Sequence, residues 1–207
     1  MSVRARLSFF VIMLLFLSLL STSEIIANFK YTDIKTAKYP ESWSDDVRLT
    51  FVNGGTTQPA IAVNNNYVHI VWTNLTTATD GKGIYYRRSC DNGITWEAEK
   101  RITQYGYTAS DAKIAVSGRN IYVAYEIDYN IIEIYFVKSS DDGETWSAPT
   151  LLSIQDTSDD QWPHITVWQD EIHVVWGHEK GNTEQYELCY RNSKDGGKTW
   201  NERITYL

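Results

Sequence analysis

The sequence predicts an all-β fold: a β-propeller present as a partial arc of three four-stranded blades, with one orphan outer strand. Three observations predict it. An octet, Ser-x-Asp-x-Gly-x-Thr-Trp, occurs at Ser89–Trp96, Ser139–Trp146 and Ser193–Trp200, and its aspartates lie 50 and 54 residues apart. A period of about 50 residues is the length of one four-stranded blade. Composition agrees, since 14 Tyr and 8 Trp against 2 Met favour pleated sheet over a helix bundle. Finally, each octet is preceded by the same series of three apolar, strand-like runs.

The first strands are Ile61–Val63, Ile114–Val116 and Ile165–Val167. Asn64–Asn66, Ser117–Asn120 and Trp168–Asp170 follow as tight turns, where Asn and Gly are favoured. Second strands, Val68–Trp72, Ile121–Tyr125 and Ile172–Trp176, are apolar on both faces, as in sheets sandwiched between neighbours. Third strands are Ile84–Arg87, Ile134–Val137 and Leu188–Arg191. The octets then turn the chain into fourth strands ending Arg101–Thr103, Leu151–Ser153 and Arg203–Thr205. The blades span 58–103, 111–153 and 162–205, and Trp43–Thr50 fits the fourth-strand register because Trp43 lies 53 residues before Trp96.

The octet residues are read as structural. Oxygens of Ser89 and Asp91, Ser139 and Asp141, and Ser193 and Asp195 accept N–H groups of the turn. Gly93, Gly143 and Gly197 supply positive φ. Thr95 and Trp96, Thr145 and Trp146, and Thr199 and Trp200 open the outgoing strand, with each indole available to cover the hairpin's apolar side. Strand order puts the octets and the strand one-to-two turns at one end. Loops from strand two to three, and the connections between blades, share the other.

The octet resembles the Asp-box, or bacterial neuraminidase repeat, of sialidases and other secreted propellers, and the resemblance covers residues 43–207. It implies a sialidase-type propeller whose octets lie opposite the binding funnel. It also implies a candidate activity, retaining hydrolysis of terminal sialic acids. That chemistry needs three arginines gripping the carboxylate, a tyrosine nucleophile backed by Glu, and an Asp acid/base. This sequence departs from the family's Arg-Ile-Pro motif: Arg101-Ile-Thr103 lacks the proline and belongs to an outer strand. Arg87 and Arg191 share one third-strand position near the octet end, the wrong face for a triad.

Positions that differ between copies are the functional candidates, because scaffold positions repeat. Asp111, beside Gln58 and Trp162 in the other copies, is the best carboxylate for acid/base work, with backbone capping as its competing role. Lys113, His164, Trp162, Glu126, Asp128 and His178 are ligand-binding candidates on the loop face, where Tyr129 and Glu179 also fall. Trp72, Tyr125 and Trp176 end the second strands, and their repetition favours packing over a sugar platform. His69 and His173 alternate with core residues and read as satisfied sheet histidines. No spacing suggests a metal, and no cofactor is implied.

Residues 1–27 form a secretory signal or signal-anchor: Arg4 and Arg6 precede the apolar run Leu7–Leu20, and Ser21–Ser23 follow. At 14 residues the run is short for a membrane span, which needs about 20. The repeats therefore face an extracytoplasmic space, with membrane attachment only through an uncleaved residue 7–20 segment. Residues 28–42 read as linker. The whole chain of 207 residues carries −7, and without Arg4, Arg6 and Glu24 the remainder carries −8, a poor match for nucleic acid. Cys90 and Cys189 fall at inequivalent places two blades apart, so no disulfide framework is expected. Asn74-Leu-Thr76 fits a glycosylation acceptor.

Three blades raise a closure problem, since closed propellers have about four to eight. A few hundred Å² of bare apolar face at each end costs roughly 10 kcal/mol. The chain is therefore expected to be a fragment of a longer protein, a six-bladed homodimer, or an open arc covered by another chain. Two functions fit: a non-catalytic segment binding glycan or protein, or a sialidase-like exo-glycoside hydrolase complete only with further blades or after self-association.

Overall fold

The computed structural model describes residues 45–51, 54–75, 81–181, 183 and 185–206. The leader, the linker, Trp43 and Thr76 of the acceptor triplet lie outside them. Among the described residues twelve strands form three separate antiparallel sheets in simple up-and-down order. The first holds β1 (Thr56–Asn64), β2 (Tyr67–Asn74), β3 (Gly83–Ser89) and β4 (Lys100–Arg101). The second holds β5 (Thr108–Ser117), β6 (Asn120–Asp128), β7 (Ile132–Ser139) and β8 (Thr150–Leu151). The third holds β9 (Asp160–Trp168), β10 (Glu171–Glu179), β11 (Tyr186–Ser193) and β12 (Ile204–Tyr206). Among the described residues no helix is long and apolar enough to cross a membrane.

The sheets stack through their faces, with β1 against β5 and β5 against β9. Apolar side chains on both faces of β2, β6 and β10 are what this stacking requires. One core lies between the first two blades and includes Val71, Ile84 and Tyr86 against Ile114, Val123 and Val137. The other joins Ala124, Ile134 and Phe136 to Ile172, Val174 and Trp176.

Each octet folds as read. Ser89 Oγ accepts from Gly93 N at 2.8 Å and donates to Asp91 Oδ1 at 2.7 Å, while Asp91 accepts from Thr95 N at 2.8 Å and Thr95 Oγ1 at 2.6 Å. The same contacts recur around Asp141 and Asp195. These donors hold the Asp91 carboxyl down at about 2, and Asp141 and Asp195 are depressed by the same threonine and serine hydrogen bonds. The fourth octet residue also donates to the strand one-to-two turn of its own blade, as Asn92 N to Asn66 O at 2.9 Å and Asp142 N to Arg119 O at 3.0 Å. Octets and these turns therefore share one end.

The octet tryptophan does more than cover its own hairpin, because it locks one blade to the preceding one. Trp146 meets Tyr86 edge-on at 5.1 Å and 70°, and Trp200 meets Phe136 at 5.0 Å and 74°. Each of those rings is itself stacked on a second-strand ring, His69 on Tyr86 at 6.0 Å and Tyr122 on Phe136 at 6.2 Å. The octet glycine lies under the same ring: a Cβ on Gly143 would sit 2.3 Å from the Tyr86 hydroxyl, and one on Gly197 2.8 Å from Phe136. Glycine is thus required twice over there, by positive φ and by close approach. Arg88 and Lys138 complete the joints by donating to the next octet's backbone, at Asp142 O (2.5 Å) and Gly196 O (2.7 Å).

Residues 45–51, the described part of the expected orphan strand, carry no strand pairing. The third strand that such an edge would pair with is not among the described residues. Leu49 nevertheless holds the outer-strand place: its carbonyl accepts from Arg87 Nη1, as the Leu152 carbonyl of the second blade accepts from Arg191 Nη1.

Candidate functional site

The end opposite the octets carries the loops from second to third strands and the connections between blades. Each innermost strand enters it through a bulge. Gln58, Asp111 and Trp162 occupy equivalent positions with φ of 52°, 48° and 59°, and the strand registers slip at each. Left-handed backbone is costly for residues with a Cβ, so its threefold recurrence needs support. For Asp111 and Trp162 the preceding blade supplies it. Gln58 Oε1 accepts from Asp111 N at 3.1 Å, and Glu126 Oε1 accepts from Trp162 N at 2.8 Å.

Four predicted site residues meet here. Asp111 is ion-paired with Lys113. Glu126 also accepts from Ser110 Oγ at 3.2 Å, and its carboxyl is pushed up by burial, aided by the Asp111 charge. Trp162 contributes its backbone to this group, while its indole turns to Tyr186 at 4.5 Å. The carboxylates of the cluster therefore have structural duties: Glu126 caps a neighbouring bulge and Asp111 is neutralised by Lys113.

The other candidates fall elsewhere. His178 Nδ1 lies 3.2 Å from Asp160 Oδ1, which also accepts from Trp176 Nε1 at 2.5 Å. His164 is exposed on β9, and Asp128 is exposed at the end of β6. Trp72, Tyr125 and Trp176 are buried, in keeping with packing. His69 Nδ1 meets Tyr86 Oη at 2.8 Å and His173 Nδ1 meets Tyr190 Oη at 2.8 Å, as satisfied histidines do. Tyr86 Oη also reaches Asp142 O at 3.1 Å.

Three arginines are committed to the scaffold. Arg87 donates to carbonyls of Leu49 and Glu97, Arg191 to those of Leu152 and Asn201, and Arg101 to those of Thr103 and Gln104.

A cavity of ≈ 560 Å³ opens on this face, lined by Tyr107, Tyr125, Tyr129 and Tyr135 together with Glu133 and Asp156. Tyr107 and Tyr129 stand 6.0 Å apart and tilted by 55°, and Tyr125 and Tyr135 are 6.3 Å apart. Burial pushes the Glu133 carboxyl up to about 7, the Asp160 and Asp156 charges adding to it against a hydrogen bond from Ser153. The signal was available in Tyr107 and Tyr129, loop residues outside the pattern repeated from blade to blade.

Three stacked four-stranded sheets with polar loops gathered opposite the repeated turns have the fold of part of a sialidase-like β-propeller. The chain is similar in structure to a Hadza microbial sialidase, with a TM-score of 0.57 at 17% identity over 70% of this chain and 36% of that one. It is similar also to Trypanosoma rangeli sialidase in complex with the inhibitor DANA (TM-score 0.56, 15% identity, 74% and 32% of the two chains). A Penicillium chrysogenum α-L-arabinanase complexed with arabinobiose matches at 0.54 and 15% identity over 71% and 50%. The chain spans about a third of the length of these sialidases and half that of the arabinanase. At such identities the likeness is one of fold. No protein-family model and no curated protein sequence matches the chain.

Proposed function

We propose that this chain is a non-catalytic, extracytoplasmic glycan-binding propeller segment, and that the tyrosine-walled cavity of the loop face takes the sugar. The observation that carries the reading is the cavity's chemistry. Tyrosine rings offer flat apolar faces and hydroxyl groups, and Gln104, Gln155 and Asn130 add amides. No lysine or arginine stands among its described lining residues, so a neutral sugar suits it better than an acidic one. The similar sialidases and arabinanase give carbohydrate as the ligand class to try first. The leader-like N-terminus supports the extracytoplasmic setting.

One observation favours a hydrolase instead: burial pushes the Glu126 carboxyl up, and the Asp111 charge nearby adds to it. A single experiment separates the two readings. The secreted protein is applied to an array of neutral and sialylated glycans and assayed on a fluorogenic sialoside, with Tyr129→Ala and Asp111→Ala alongside. The binding reading expects neutral-glycan affinity to fall about tenfold in Tyr129→Ala and to persist in Asp111→Ala. Sialoside turnover that Asp111→Ala abolishes would replace it with the hydrolase.

A further inference from the structure

The tyrosine-walled cavity contains a carboxyl that the scaffold only half engages. Glu133, 7% exposed on β7, is one of its lining residues. Its Oε2 accepts from Ser153 Oγ, and among the described residues Oε1 takes no hydrogen bond. A carboxylate withdrawn from water is costly unless a donor or a cation meets it. Burial accordingly pushes this carboxyl up to about 7, with the Asp160 and Asp156 charges adding to the effect and His178 opposing it. No lysine or arginine stands beside it among the described lining residues.

Strand geometry surrounds that charge with rings. Glu133 and Tyr135 are two residues apart on β7 and so project from one face, and their partners on β6 are Ile127 and Tyr125. Burial raises the Tyr135 hydroxyl too, and the Glu133 and Tyr107 charges add to that. Tyr107 and Tyr129, 41% and 71% exposed, present the solvent-facing rings. The face of a tyrosine ring is electron-rich and attracts cations, most strongly where water is excluded. A cation of the chain already uses such a face nearby. Arg101 lies over Tyr105 at 4.4 Å and lines a recess that shares Thr103, Gln104, Tyr125 and Pro149 with the cavity.

We propose that the cavity selects glycans bearing a free, protonated amino group, which sits among the tyrosines and pairs with Glu133. The proposal rests on the cavity being the sugar site and narrows its ligand. An N-acetylated sugar stacks on the same rings but brings no charge to Oε1. The ammonium ion favours the ionised carboxyl, so binding expels the proton that Glu133 carries below its raised value.

The test is isothermal titration calorimetry of the full chain in a mild detergent at about pH 7. The probes are a glucosamine tetramer, its fully N-acetylated counterpart and choline, a permanent cation. The amino tetramer is expected to bind about tenfold more tightly than the acetylated one. Glu133→Gln should bring the two close together, whereas Tyr129→Ala should weaken both. Choline affinity should rise about tenfold between about pH 6 and about pH 8, and stay flat in Glu133→Gln. Asp156, Asp160, His178 and Tyr135 face Glu133 and remain in that variant, so a slope that survives belongs to them and overturns the assignment. The comparison of tetramers needs no variant. Equal affinities overturn the proposal and leave a neutral-sugar site, and no binding of either removes the sugar site as well. Choline bound as tightly as the amino tetramer makes a small ammonium compound the ligand and overturns the glycan.

Discussion

Ile134 in the middle blade and Leu188 in the last occupy the same point of the same strand, yet one is sealed and the other half open. The comparison teaches that a blade here is not a folding unit with its own core. Its apolar residues are divided between two faces, and each face becomes interior only when a neighbour's octet tryptophan and innermost strand arrive. The octet, read along the sequence as a local turn device, is therefore also the instrument of long-range packing. Its Ser, Asp and Thr close the turn, while its Gly and Trp close the joint.

The largest effect that can break this comparison is a truncation on each side of it. Ile134→Ala is expected to cost about 2–5 kcal/mol, because the cavity it leaves is enclosed by two blades. Leu188→Ala is expected to cost about 1 kcal/mol or less at concentrations too low for association. Urea unfolding of both variants checks the pair, and equal losses would mean that the outer face is packed after all.

A smaller effect distinguishes the two internal joints. His69 lies in the first joint and Tyr122 in the equivalent place of the second. Burial lowers the His69 imidazole to about 4, the Arg88 charge helping and the Asp142 charge opposing. Above the ordinary histidine value the folded and unfolded states are both neutral, and no stability depends on this group. Between about 6.5 and about 4 the unfolded chain binds a proton that the folded state refuses, so stability falls as pH falls, by up to about 3 kcal/mol. His69→Tyr, which copies the second joint, is expected to flatten that part of the stability profile. An unchanged slope would place the dependence in other groups.

Much of the architecture was legible because repetition averages out local ambiguity. Strand positions, their order and the turn chemistry of Asp91, Asp141 and Asp195 follow from aligning three copies. What stayed hidden was whatever depends on contacts between copies. Nothing local to Trp146 says that it will meet Tyr86, some 60 residues earlier. The bulge positions were picked out as chemically distinct, and two of them are held by a side chain of the preceding blade, the Asp111 N–H by Gln58 and the Trp162 N–H by Glu126. Tyr107 precedes β5, Tyr129 stands in the turn from β6 to β7 and Glu133 lies in β7, and the pairing of those strands in one sheet brings them around one cavity.

The central claim is that the middle blade is enclosed on both faces and the outer two on one. Amide hydrogen exchange across the chain, at concentrations below those of association, tests it most directly. The slowest amides should lie in β6 and β7, around Val123 and Phe136, and exchange only through global unfolding, with β1 and β12 opening first. Equal protection of all three sheets, or slowest exchange in β1 or β12, would contradict it.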